Sequence, residues 1–271
     1  MSLSVETGRS APAPPGAARP TRKPRTLRTD AWWLLPGVTV IVLIAFVAYG
    51  TWVAFIDRDY YVRPYLSPMY SPCLMASCKR ATWQLFGDWH VASLTVSPAL
   101  LILPFPLLFR LTCYYYRKAY YRSFWLSPPA CAVAEPHRTY TGETRFPLIL
   151  QNLHRYAFYL ALPFPVILLW EAFKATDFPG GFGIGLGTVI LFVNACLLGA
   201  YALSCHSCRH LCGGGLDTFS TSPLRYKAWR LVSRMNHRHM QIAWVSLFGV
   251  ALTDLYIRLV ATGAFHDPRI F

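Results

Sequence analysis

The sequence predicts an all-α integral membrane protein with five transmembrane helices, its N-terminus cytoplasmic and its C-terminus outside. Three observations predict this class. Of 271 residues, 54% are hydrophobic and 14% charged, against about 25% charged in an ordinary soluble domain. Five apolar stretches of roughly spanning length recur along the chain. The basic residues, which leave a net charge of +14, crowd into alternate connections between those stretches.

Residues 1–30 are rich in Pro, Ala and Arg and lack the short apolar core of a cleavable signal. Such a segment buries too little apolar surface to order itself, so a disordered basic tail is expected ahead of a membrane domain over 31–271. The expected spans lie near 32–56, 91–111, 156–173, 182–204 and 240–260. The second and third share a local pattern, Leu103-Pro104-Phe105-Pro106 and Leu162-Pro163-Phe164-Pro165. Each proline removes a helix hydrogen bond, which predicts two kinked helices. The glycines of the fourth span are tolerated because neighbouring groups satisfy freed backbone in a membrane bundle.

Orientation follows from charge. Six Lys/Arg precede the first span, seven lie from Arg110 to Arg155, and six from Arg209 to Arg238, so 19 of 26 share one side. Basic connections face the cytoplasm. Only Glu6, Asp30, Glu135, Glu143 and Asp217 offset them there, which places the whole net charge on the cytoplasmic face. Such a surface suits anionic lipid headgroups or an acidic soluble partner. Nucleic acid is excluded as a partner, because no nucleic-acid-binding motif accompanies the charge.

The first outside connection holds Cys73 and Cys78. That side is oxidising, and a disulfide is the expected state of such a pair. The inside connection after the second span interleaves tyrosines with Arg117, Lys118 and Arg122 and reaches Trp125. Aromatic residues with arginine favour protein interfaces as well as the membrane boundary, so Arg117, Lys118, Arg122 and Trp125 are the expected docking residues.

Soft ligands gather on the same side. Cys205-His206-Ser207-Cys208-Arg209-His210-Leu211-Cys212 closes the fourth apolar run, and Asn236-His237-Arg238-His239 opens the fifth. Cys113, Cys131, His137 and His154 complete the cytoplasmic inventory. Clustered cytoplasmic cysteines are more often ligands or catalytic groups than disulfides. Zinc could use Cys205, Cys208 and two histidines. A bis-histidine haem b could pair His154 with His206 or His239. A [2Fe–2S] centre with two Cys and two His ligands uses both residue types, although the contiguous cysteines and histidines here depart from the spacing of soluble Rieske proteins.

The run Thr112-Cys113-Tyr-Tyr-Tyr-Arg-Lys-Ala-Tyr-Tyr-Arg-Ser-Phe-Trp125, with Pro-Pro-Ala-Cys131-Ala-Val, resembles the membrane anchor of actinobacterial-type (type F) succinate dehydrogenases. So do Gly-Glu-Thr-Arg-Phe-Pro-Leu at 142–148, Gln151-Asn-Leu-His154-Arg-Tyr156 and Ser204-Cys205-His-Ser-Cys-Arg-His210. The resemblance covers roughly residues 30–265. It implies a five-helix anchor that binds flavoprotein and iron–sulfur subunits on its cytoplasmic face. It also implies a membrane-embedded Rieske-type [2Fe–2S] cluster and delivery of electrons to quinone. No Gly-x-Gly-x-x-Gly opens a helix after a strand, so succinate chemistry falls to the partners.

The ligand choice rests on spacing. His206 and His210, at i and i+4, share a helix face and are the first choice, with His154 and His239 in reserve. Cys113 and Cys131, beside the stiff Pro128-Pro129 turn, are preferred to Cys205 and Cys208. The quinone is expected beside that centre, against His154, Arg155, Tyr156 and Trp244 at the cytoplasmic ends of the spans.

Overall fold

A computed structural model describes residues 26, 28–76, 78, 87–88, 90–91, 94–137 and 142–271. The expected tail lies outside the described residues except at 26 and 28–30. The first helix, α1 (Leu34–Ile56), is apolar on every side and exposes Leu35, Ile41, Val47 and Phe55. A helix that is apolar all round yet little covered by protein is one that lipid surrounds. Asp57, in the left-handed conformation, ends it.

A short antiparallel hairpin follows, β1 (Tyr61–Val62) with β2 (Tyr65–Leu66). Cys73 and Cys78 are joined, their Cα atoms 5.8 Å apart. A second hairpin pairs β3 (His90–Val91) with β4 (Leu94–Thr95).

The second apolar stretch therefore becomes helical later than expected. Ser97 caps α2 (Pro98–Ile102), its hydroxyl accepting from the Ala99 amide at 3.3 Å. Proline is pre-set for a first turn and forces the residue before it into extended backbone, so the helix starts at Pro98. It breaks again at Leu103, and α3 runs over Pro104–Thr112. This stretch is two short helices and not one long one.

The tyrosine-rich connection is itself folded. It forms α4 (Tyr114–Tyr120), a π-turn over Tyr121–Trp125 and, further on, 3-10 turns at Gly142–Thr144 and Leu148–Leu153. The third span is α5 (His154–Ala161) followed by α6 (Pro163–Lys174). Its kink sits beside that of the second stretch, with Phe105 and Phe164 ring centroids 6.3 Å apart. The hairpin β5 (Asp177–Phe178) and β6 (Gly181–Phe182) leads to α7 (Leu186–Leu203). Two amphipathic helices, α8 (His206–Gly213) and α9 (Pro223–Asn236), precede α10 (His239–Ala261).

Four helical segments are long and apolar enough to cross a membrane: Leu34–Ile56, Leu148–Lys174, Leu186–Leu203 and His239–Ala261. The loops gather at two ends of the bundle. At one, the Tyr65 hydroxyl donates to Asp267 at 2.6 Å, and Asp267 also accepts from the Gly187 amide at 2.8 Å at the start of α7. Gly187 permits that approach, since a Cβ there would meet the Tyr65 ring at 2.7 Å. At the other end, Arg28 donates to the Cys131 carbonyl at 2.9 Å, and α8 packs on α9.

One ion pair is sunk in the bundle. Asp254 is fully buried and accepts from Arg258 Nε at 2.8 Å, from the Tyr49 hydroxyl at 2.5 Å and from Ser67. Both carboxylate oxygens are satisfied, which a buried charge requires. The contacts tie α1 and the β2 loop to α10.

Candidate metal centre

Two helix breaks build the site. Both place a hydroxyl residue directly before a cysteine. Thr112 ends α3, and Cys113 turns into extended backbone before α4. Ser204 ends α7, and Cys205, also extended, caps α8. Cys113 and Cys205 are each 1% exposed and share one buried cluster with Phe109, Phe158 and Tyr201.

Two histidines face these cysteines from the first residues of α5 and α10. His154 Nε2 lies 3.1 Å from Cys205 Sγ, and His239 Nε2 lies 3.5 Å from Cys113 Sγ. The other ring nitrogens are engaged as well. Thr112 Oγ1 is 2.9 Å from His154 Nδ1, and Ser204 Oγ is 2.7 Å from His239 Nδ1.

The hydroxyl partners point to one assignment of the tautomers. Thr112 donates to the Leu108 carbonyl at 2.8 Å, and Ser204 donates to the Tyr201 carbonyl at 3.1 Å. With each hydroxyl proton so engaged, its oxygen is placed to accept from the histidine; in that assignment Nδ1 carries the proton and the Nε2 lone pair points at the thiol. A metal-binding imidazole is commonly held this way, by an outer partner on its remote nitrogen. Stacking fixes the rings too: Phe109 on His154 at 5.2 Å, and Tyr201 on His239 at 5.2 Å with planes 3° apart.

Burial pushes the Cys205 thiol up to about 11, so it ionises at neutral pH only if a cation displaces its proton. Among the described residues, no three Cys, His, Asp or Glu side chains close around a single ion. The four instead form two adjoining thiol–imidazole pairs. Two soft thiols and two oriented imidazoles suit a [2Fe–2S] group with mixed ligands. They suit a haem poorly, because a thiol stands directly in front of each Nε2.

The other predicted ligands stand outside these two pairs, although His206 interacts electrostatically with both His154 and His239. His206 and His210 do share a face of α8, but that face is exposed, because α8 caps the end of the bundle. Cys208 is buried one turn on, its thiol beside Cys212. Cys131 is exposed on the Pro128-Pro129 turn. Spacing found the helix face but not the direction in which it points. The overlooked signal was the repeated hydroxyl–cysteine dipeptide.

Beside Thr112 a cavity of about 750 Å³ opens between α1, α3 and the 148–153 turn. Leu43, Phe46, Leu108 and Leu148 line its apolar body. Arg110, Tyr116, Tyr120 and Gln151 form its polar edge. Gln151 Nε2 donates to the Tyr120 hydroxyl at 2.5 Å, and Tyr120 donates to the Leu111 carbonyl at 3.0 Å. Gln151 Oε1 is buried and accepts no hydrogen bond among the described residues. Arg155 and Tyr156 do not line this cavity. They are exposed on the side of α5 opposite Ala157 and Phe158, which face the core. Trp244 packs on Tyr116 at 5.6 Å.

The predicted docking residues surround the same end. Lys118 is exposed and Trp125 is 48% exposed. Arg117 is paired with Glu143 at 3.0 Å, and Arg122 is half-buried.

Lipid-exposed helices around a buried Cys/His site at one surface define a multi-pass membrane protein. The chain belongs to the family of the actinobacterial succinate dehydrogenase subunit SdhC, which it matches over residues 34–263. It is a succinate dehydrogenase subunit of the plasma membrane. No curated relative matches significantly. Among solved structures it is similar to a chain of the Mycobacterium smegmatis Sdh1 complex in the apo form. The two are 52% identical, with a TM-score of 0.84 over 93% of this chain and 97% of the other.

Proposed function

We propose that this subunit anchors succinate dehydrogenase and carries electrons from a soluble iron–sulfur partner to quinone. Cys113, Cys205, His154 and His239 would hold a Rieske-type [2Fe–2S] group. The observation that carries this reading is the pair of hydroxyl-partnered histidines, each with its Nε2 against a buried thiol. When bound, such a group supplies a one-electron carrier.

The chain's own residues do the rest. Thr112 and Ser204 hold the imidazoles in the ligating tautomer, and Phe109, Phe158 and Tyr201 exclude water. The neighbouring cavity suits a quinone, with an apolar body for the isoprenoid tail and a polar edge for the head. Gln151 Oε1 offers an acceptor for a quinol hydroxyl, and Thr112 borders both cavity and histidine. The α2–α3 pair makes a fifth, shorter crossing, with the metal site at the cytoplasmic end and Cys73–Cys78 outside. Flavoprotein and iron–sulfur subunits dock over Lys118 and Trp125.

Visible and electron paramagnetic resonance (EPR) spectra of the purified complex test this. The dithionite-reduced complex should show a low-field Rieske-type signal beyond those of the soluble subunits. Sharp visible bands would assign a haem b to His154 and His239 instead. Neither feature, with zinc bound, would leave the site structural.

A further inference from the structure

Arg110, in the last turn of α3, is 7% exposed. Its guanidinium donates to the Tyr116 hydroxyl, to the Ala243 carbonyl at 3.3 Å and to Ser246 Oγ at 3.2 Å. It also lies over the Tyr201 ring at 4.7 Å and the Tyr116 ring at 5.6 Å. Every one of these partners is neutral. Among the described residues no carboxylate pairs with Arg110, whereas the other buried arginine, Arg258, has Asp254.

A permanent cation buried at membrane depth without a counter-charge is costly. It is tolerable where negative charge arrives during function. Two features meet at Arg110. It lines the cavity of 750 Å³, and the ring beneath it, Tyr201, is stacked on His239 at 5.2 Å. The guanidinium thus lies within about 10 Å of the His239 ring, in a dry region where charge is little screened.

We propose that Arg110 is a fixed counter-charge for the electron-loaded state of the metal site, raising its reduction potential so that electrons are drawn into the membrane subunit. The inference rests on the redox reading of Cys113, Cys205, His154 and His239. Two thiolates and two neutral imidazoles leave an oxidised [2Fe–2S] group uncharged. One electron, supplied by the iron–sulfur partner, makes it an anion and leaves the partner one electron more oxidised. No proton need move, because the positive charge is already in place. Net charge near an iron–sulfur group is one of the levers on its potential.

The test is an EPR-monitored redox titration of the whole purified complex. Arg110→Gln should leave the line shape of the membrane signal and lower its midpoint. The one-electron equilibrium should shift at least tenfold, about 59 mV. Arg110→Lys, which keeps the charge, should retain most of the wild-type value. Ser246→Asp, which sets a carboxylate against the guanidinium, should lower the midpoint with Arg110 intact, and it decides the matter if Arg110→Gln fails to assemble. An unchanged midpoint in the assembled neutralising variants overturns the proposal. So does a fall in Arg110→Lys as large as in Arg110→Gln, which would assign the effect to hydrogen-bond geometry and not charge. A wild-type complex without the membrane signal fails at the earlier step and removes the redox reading with it.

Discussion

Thr112 and Ser204 hold opposite histidines. Thr112 precedes Cys113 yet is hydrogen-bonded to His154, which faces Cys205; Ser204 precedes Cys205 yet is hydrogen-bonded to His239, which faces Cys113. Each helix break thus supplies a thiol to one pair and the orienting hydroxyl to the other. Replacing both hydroxyls, Thr112→Val with Ser204→Ala, should weaken metal retention roughly 10- to 100-fold. Iron per purified complex after a timed chelator challenge measures it, and retention equal to wild type would deny the hydroxyls their role.

His154→Ala with His239→Ala should abolish the membrane EPR signal and quinone reduction. Succinate oxidation with an artificial acceptor should persist, because that chemistry belongs to the partner subunits. The same double change at His206 and His210 should leave the signal in place. If the second pair silences it and the first does not, the ligand assignment is reversed.

In the cavity, Gln151→Leu and Tyr120→Phe each remove a polar group from its edge. A neutral hydrogen bond is worth about 1 kcal/mol, so each should raise the KM for quinone about fivefold. The EPR line shape should stay the same. Arg155 and Tyr156, which face away, should tolerate alanine with smaller changes. Steady-state kinetics on all four variants compares the two surfaces directly.

Docking should depend on the exposed part of the tyrosine-rich segment. Lys118→Glu with Trp125→Ala should release the soluble subunits from washed membranes. Arg117→Glu is a poorer probe, because Arg117 is already paired with Glu143 and its reversal would disturb this chain as well. Undiminished co-sedimentation of the soluble subunits with the Lys118/Trp125 variant would point to lipid as the main contact of this face.

Away from the thiol–imidazole pairs, Asp254→Asn leaves Arg258 as an uncompensated buried charge. Breaking one side of such a pair costs about 3–5 kcal/mol. A lower melting temperature of the detergent-solubilised complex should report it, and Tyr49→Phe, which removes only one hydrogen bond, should lower it less.

Much of the fold was legible because lipid imposes a simple rule on composition. The apolar stretches became α1, α5–α6, α7 and α10, and both Leu-Pro-Phe-Pro repeats became helix breaks. The start of the second stretch was harder to read: Val91 is as apolar as Leu100, and the capping Ser97-Pro98 signal alone marks the true beginning. The site was legible as an inventory but not as a set. Cys113, Cys205, His154 and His239 all stood among the candidates, yet their meeting depends on how four helices pack. Local spacing favoured His206 and His210, and no local pattern reveals that α8 turns that face outward. Gln151 stood in the sequence only as part of a resembling run, since its unmet acceptor is visible only after folding.

The four facing side chains come from the α3–α4 break, the start of α5, the α7–α8 break and the start of α10. That dispersal dictates an order of manufacture. His239 opens α10, so the pocket has no complete wall until that helix has been made and inserted. On the proposed reading, a cofactor would be fitted to a bundle already folded through α10, before a soluble partner covers that end. Maturation of the membrane subunit would then precede assembly of the complex, and a partner docking too early would lock in an empty chain.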